Sequence, residues 1–201
     1  MINENSEVPE IEFYTSSGIL GANPFTSTEE LYLSYLEALK SLHKDLEANL
    51  KYFERFQTLV VGAVTEDRIG LRRDTNSALI PNSTVIVFGV VTVDDKPKVV
   101  TTVQANLLMC IPQNSVFIEN VATHKEFDGQ GFGKKAMNFL EQWIREYWMF
   151  DTKEIKLVLT NSPKKENGGF YISCGFEARG PESKKPTVVW QRYVKGAVED
   201  D

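Results

Sequence analysis

Gly129-Gln130-Gly131-Phe132-Gly133-Lys134 is the stretch of this chain whose composition and spacing most directly suggest chemistry. Glycine removes the Cβ that would keep a backbone away from an anion, and it permits positive φ. The run Val116-Phe117-Ile118-Glu119-Asn120-Val121-Ala122-Thr123 leads in and reads as a buried strand. Beyond the glycines, apolar residues recur at helical spacing from Lys135 to Phe150 (Met137, Leu140, Trp143, Ile144, Tyr147). A strand, a glycine-dense turn and an amphipathic helix together present unpaired backbone N–H groups to a phosphate. Lys134 and Lys135 add cations at the start of that helix, or form an ordinary solvated face. Glu119 interrupts an otherwise apolar strand. A carboxylate there needs a partner or a raised pKa, and so reads either as a base or as a structural partner for a backbone or arginine group.

Two phosphate-binding patterns fail on spacing. A Walker A loop needs glycine where Asp128 stands and Ser or Thr where Lys135 stands. A dinucleotide fingerprint wants its third glycine at Lys134 and belongs to an early βαβ unit, whereas this loop lies past the middle of the chain. A third pattern fits: Asp128-Gly129-Gln130-Gly131-Phe132-Gly133 matches the pyrophosphate loop Arg/Gln-x-x-Gly-x-Gly/Ala of acyl-CoA-dependent acyltransferases at every position but the first. A glycine-rich connector without a ligand is the alternative for the loop alone. Further on, Ile155-Lys156-Leu157-Val158-Leu159-Thr160 reads as a strand ending at Asn161-Ser162-Pro163, and a short helix is expected to start near Lys164. It contains Asn167-Gly168-Gly169-Phe170-Tyr171, then three residues, then Gly175-Phe176.

With both motifs in this order the chain resembles the GNAT superfamily of acetyl-CoA-dependent N-acetyltransferases, over roughly Thr84 to Val194. Its closest local match is to the branch that acetylates amino-sugar phosphates, through Ile118-Glu119, Gly129 to Lys134 and Phe170 to Phe176. The resemblance implies acetyl-CoA as co-substrate, no metal, and an amine acceptor. It places pantetheine along Val121, Ala122 and Thr123, and pyrophosphate on Gly129, Gln130, Gly131, Phe132, Gly133 and Lys134. Asn161 and Asn167 are candidates for polar contacts to the pantetheine or adenosine side; Asn167 matches the Asn of the family's Asn-x-x-Phe-Tyr pattern, with an ordinary helix-turn residue as the alternative. Tyr171 becomes the group that protonates the leaving thiolate, with core packing beside Phe170 as the alternative. Glu119 could orient the amine or accept its proton. Asp128 departs from the family pattern, and a carboxylate there should repel pyrophosphate. His124, just after the strand, reads as a solvated loop histidine or a phosphate contact, and His43 as a surface residue.

At 201 residues the chain is expected to be a single N-acetyltransferase domain, 1–201, with core motifs in 84–194 and a helical, acceptor-side region in 1–83. The fold class is α/β (α+β): a mixed central sheet flanked by helices. Ile11 to Tyr14 reads as an edge strand and Ser27 to about Phe56 as helix, with Ser27-Thr28 before Glu29-Glu30 as its start. Gln57 to Thr65 reads as a strand or as the end of that region, and residues 66–83 as an extended loop. Thr84 to Val93 and Lys98 to Met109 form a hairpin about Asp94-Asp95-Lys96-Pro97. Ser115 to Thr123 is the third strand of this core, and Thr187 to Val194 closes the sheet.

Acidic residues exceed basic ones, 28 against 22, for a net charge of −6. That argues against a general nucleic-acid binder and suits a cationic amine. No apolar run approaches a membrane span, and the acidic N-terminus is unlike a signal peptide. Two cysteines, Cys110 and Cys174, make neither a disulfide framework nor a metal site. They read as small buried hydrophobes in a cytoplasmic protein. A homodimer is compatible with all of this. The function expected is acetyl transfer from acetyl-CoA to a small primary amine such as an amino sugar or polyamine. The alternatives are acetylation of a protein N-terminus or lysine, and a catalytically weak acyl-CoA-binding module.

Overall fold

The computed structural model describes residues 9–16, 24–40, 71–73, 79–81, 84–108, 115–147, 154–161, 168–179 and 188–195. Of Thr28, residues 71–73 and 79–81, Thr84, residues 107–108, Glu119, Asn120, Tyr147, residues 154–155 and 159–161, Arg179, residues 188–189 and Lys195, it describes the backbone alone.

A seven-stranded sheet is built from β1 (Glu12–Thr15), β4 (Thr84–Val93), β5 (Lys96–Leu108), β6 (Ser115–Thr123), β7 (Glu154–Asn161), β9 (Val188–Lys195) and β8 (Glu177–Arg179), in that spatial order. Neighbours are antiparallel except β6 and β7, which are parallel and joined through helix α2 (Phe132–Tyr147). The mixed sheet expected from the sequence is present, and β1 is its edge strand. Helix α1 (Thr28–Leu39) covers one face and α2 the other. Alternation in β4 serves both: Val85 and Val87 pack in the layer of Ala136, Met137, Leu140 and Ile144 of α2, and Ile86 and Phe88 pack with Leu31, Tyr32, Tyr35 and Leu36 of α1.

Ser27 caps α1 as expected: its hydroxyl accepts from Glu30 N at 3.1 Å, and the Glu30 carboxylate reaches back to Thr26 N at 2.8 Å. The expected helix beyond residue 40, the strand or helix end at 57–65, and His43 lie outside the described residues. Asp94 and Asp95, both with positive φ, make a two-residue turn, so β5 already begins at Lys96.

Three expectations are corrected. Within 66–83, Leu71–Arg73 (β2) and Leu79–Pro81 (β3) pair as a separate two-stranded sheet rather than forming only a loop. Strand β9 does not close the main sheet, because β8 pairs beyond it. At three residues β8 is too short to show alternation, and it exists because β9 offers an edge. Finally, α2 begins at Phe132, three residues before Lys135. Phe132 is fully buried beside Val91 and Val100, which pins the first turn to the sheet.

Candidate active site

Two bulges shape β6 and its surroundings. Opposite Val103, the ladder between β5 and β6 skips from Thr102–Ala122 to Gln104–Glu119, so Asn120 and Val121 oppose one residue. The alternation of β6 reverses there. Val116 and Ile118 pack on the α2 layer, whereas Ala122 packs on the α1 layer. Val121 and Thr123 are thereby turned to the α2 side, where Val121 joins the core cluster and Thr123 reaches Gly133. A second bulge at Val100 is tied down on both sides: Ser34 of α1 accepts from Val99 N at 2.7 Å, and His124 N donates to Val100 O at 2.7 Å.

Between β6 and β7 the sheet opens past Phe117, before the Asn120–Val121 bulge is reached. The parallel ladder between β6 and β7 holds only Ser115–Lys156, Val116–Leu157 and Phe117–Val158, although β6 runs on to Thr123 and β7 to Asn161. Past Phe117 the two strands have no ladder pairing with each other. In that half, among the described residues, no β7 ladder bond occupies the backbone of β6, as at a sheet edge.

The glycine loop lies at the end of this opening. A single 3-10 turn, Lys125–Phe127, follows β6 and delivers the chain to Asp128. Gly129 and Gly131 have φ of +77° and +78°, which L side chains rarely adopt. Lys135 is the first residue to close a helical bond, to Gly131 O at 3.1 Å. The N–H groups of Phe132, Gly133 and Lys134 therefore have no helical acceptor and point out of the helix N-terminus. The Cβ that Gly133 lacks would lie 3.2 Å from Thr123 Oγ1 and 3.1 Å from the Phe170 ring. Thus the end of β6, the start of α2 and the helix α3 (Gly168–Ser173) meet at Gly133. Among the described residues Gln130 Oε1 is buried without a partner, an acceptor suited to a ligand N–H or O–H and not to a phosphate oxygen.

Asp128 does not point freely at the loop. Its Oδ1 accepts from Gly129 N at 2.9 Å, occupying one N–H of the cradle. His124 is not the solvated histidine expected: its side chain is 16% exposed and its Nδ1 accepts from Glu126 N, because it caps the 3-10 turn. Burial and, next, Lys98 push its pKa down. Lys134 and Lys135 are exposed, and Lys135 Nζ rests 5.5 Å from the centre of the Phe132 ring.

Tyr171 is buried in the α2-side core, with ring centroids 5.5 Å from Trp190, 5.2 Å from Phe170 and 6.1 Å from Phe176. Its hydroxyl makes no hydrogen bond among the described residues. Burial, and then Cys174, raise its pKa, so the phenol keeps its proton at neutral pH. Cys174 is a buried free thiol, as expected, and burial raises its pKa too. Glu119 stands opposite Gln104 just before the bulge, and Asn161 ends β7 opposite Val188. Their side chains, and all of Asn167 and Cys110, lie outside the described residues. Among the described residues no group of His, Cys, Asp or Glu could hold a metal ion.

Phe170, Trp190 and Arg192 surround this site without having been singled out as site residues. Phe170 was visible within its motif. Trp190 and Arg192 carried only a weak signal, a bulky aromatic and a cation two apart in an apolar strand.

Residues 85–178 match the family model described as an acetyltransferase (GNAT) domain. In a comparison with curated proteins, none matches this sequence significantly. Among solved structures the chain is similar to an acetyltransferase of the GNAT family from Staphylococcus aureus, at TM-score 0.56 and 13% identity over 92% of this chain and 100% of that one. It is similar to glucosamine-6-phosphate N-acetyltransferase from Arabidopsis thaliana, at TM-score 0.55 and 16% identity, covering 88% and 97%. A domain from Methanocaldococcus jannaschii aligns at TM-score 0.54 and 12% identity, covering 92% and 99%. At these identities the structural likeness speaks for the fold.

Proposed function

Residues 85–178 are an acyltransferase domain of the GNAT family, in a chain with that family's fold, and from this premise we propose that the protein transfers acetyl from acetyl-CoA to the primary amine of a small molecule. The observation that carries the reading is the opened sheet. The second half of β6 has no ladder pairing with β7, and it leads to the N–H groups of Phe132, Gly133 and Lys134, which have no helical acceptor. An extended arm ending in a pyrophosphate needs those two features end to end. Pantetheine amides would pair with the backbone of Val121 to Thr123, and the phosphates would take the N–H groups of the loop. The buried acceptor of Gln130 would be satisfied by a donor on the same ligand.

Direct attack requires a neutral amine held against the thioester carbonyl. The amine nitrogen forms the new C–N bond as the C–S bond breaks. Tyr171 gives its proton to the departing sulfur, and the amine releases one to Glu119 or to water, from which the phenolate is restored. A raised Tyr171 pKa suits this, since the group enters the step protonated. An amino sugar or a polyamine is the acceptor class, and the cytoplasm is the compartment where acetyl-CoA would meet it. Among the described residues no helix is long and apolar enough to cross a membrane.

The test is release of free CoA thiol from acetyl-CoA across a panel of amino sugars, polyamines and amino acids. Turnover of at least one is expected. Tyr171→Phe should lower that turnover by ~10²-fold, the low end for general acid help, with acetyl-CoA affinity unchanged. Parent-level turnover by Tyr171→Phe, with chemistry limiting, would reduce Tyr171 to packing. One observation favours a second reading, an acyl-CoA-binding module with little turnover: Asp128 brings charge to the cradle and occupies the Gly129 N–H. Acetyl-CoA binding without turnover of any amine would select it.

A further inference from the structure

The helix that carries Tyr171 has six residues, too few to hold its own position in water. Its C-terminus is a Schellman motif: Phe176 N donates to Tyr171 O at 3.0 Å, Gly175 N donates to Ile172 O at 2.9 Å, and Gly175 takes φ +80°. The motif fixes the turn, and β9 fixes the motif. Trp190 lies against the Tyr171 ring and beneath Gly168, whose missing Cβ would be 3.6 Å from the indole. Two residues on, Arg192 Nη1 donates to Cys174 O at 2.6 Å, satisfying a carbonyl that the helix end leaves orphaned. Arg192 Nη2 is bonded to Glu141 of α2, and the second oxygen of Glu141 holds Arg145 at 2.8 Å. The guanidinium also runs under the turn, 3.5 Å from where a Gly175 Cβ would stand.

From these contacts we infer that Arg192, oriented by Glu141, is a positioning residue for Tyr171, locking its helix between β9 and α2 so that the hydroxyl meets the leaving sulfur. The inference rests on the reading of Tyr171 as proton donor. Arginine suits the role because one planar fork reaches the carbonyl and the carboxylate at once, whereas a lysine offers a single nitrogen. Glu141 is mostly buried, with its side chain 13% exposed, so it holds the fork in a defined direction. A helix free to shift by about 1 Å could cost ~10²-fold in rate.

A double-mutant cycle separates positioning from plain support of the fold. Arg192→Met, Tyr171→Phe and the pair are compared by single-turnover CoA release with an amine the parent acetylates, beside acetyl-CoA affinity and melting temperature. Arg192→Met should slow release by ~10–100-fold in the parent and by less than about two-fold once the Tyr171 hydroxyl is gone. Arg192→Lys, which keeps one donor, should recover part of the loss. If Arg192→Met does not fold, Glu141→Gln, which keeps shape and acceptor oxygen, enters the same cycle with a smaller expected loss. Equal losses in both tyrosine backgrounds overturn the inference while leaving Tyr171 as the donor. Tyr171→Phe turning over at the parent rate, or a parent that acetylates no amine, overturns the reading beneath it.

Discussion

At the scale of single residues, charge at the glycine loop is the feature with the most direct consequence. Asp128 spends one carboxylate oxygen on the Gly129 N–H. It thus removes a donor from the cradle and adds a negative charge where phosphates are proposed to sit. Asp128→Gln removes the charge and supplies a neutral side chain at the position. Acetyl-CoA should then bind several-fold tighter at low ionic strength, and the gain should shrink as salt screens the parent's repulsion, over about 10 Å at 0.1 M. Calorimetric titration at two salt concentrations measures both effects. Equal affinities at low salt would mean that the carboxylate, held in its local turn, does not act on the ligand.

At the scale of elements, glycines do different work in different places. Among the described residues Gly131 has open space around its missing Cβ and serves for its φ of +78°, while at Gly133 an added Cβ would sit tightly against Phe170 and Thr123, at 3.1 and 3.2 Å, and would have to displace them by a few tenths of an ångström. Gly133→Val should push α3 away from the end of β6 and abolish thermal stabilisation by acetyl-CoA, which tracks ligand concentration relative to its dissociation constant. Undiminished stabilisation would show that the ligand does not use this junction. Gly175→Ala is a cleaner case, since the nearest atom would be 3.5 Å away and only the positive φ is strained. Its expected cost is about 1–2 kcal/mol in urea unfolding, the penalty for an L residue in the left-handed region. A loss near zero would show that the turn relaxes instead of holding Tyr171.

At the scale of the whole molecule, the turn that leaves the end of β6 is expected to make stability depend on pH. His124 sits where β6 leaves the sheet, mostly buried between Lys98, Glu126 and the Phe127 ring, with Nδ1 committed as an acceptor. Its folded pKa lies below the ordinary value, burial being the main cause and Lys98 the next. The unfolded chain therefore binds the proton more readily. The neutral ring's contribution to stability is complete above the unfolded pKa of about 6.5, and is lost as pH falls through the lower folded pKa. His124→Asn keeps a capping acceptor and cannot titrate. Its urea midpoint should fall less than the parent's between pH 7 and pH 5. Parallel curves would place the pH sensitivity elsewhere.

The sequence by itself was enough for everything governed by local periodicity and local backbone chemistry. The bounds of β6, the buried stripe Met137, Leu140 and Ile144 of α2, the Ser27 cap and the glycine loop all follow from neighbours close in the chain. The two motifs in their order were enough to suggest the family. Tertiary structure decided what depends on partners far apart in sequence. The bulge that turns Val121 and Thr123 to the α2 side exists only against Val103. The start of α2 depends on a seat for Phe132 between Val91 and Val100, and β8 depends on β9. His124 looked like a loop residue until Val100 and Glu126 engaged it. Arg192 acquired a role only when β9 brought it within reach of Cys174 and Glu141, 18 and 51 residues away. Spacing along a chain encodes which face a side chain takes within its own element, and a three-dimensional fold alone selects the distant group that the face will meet.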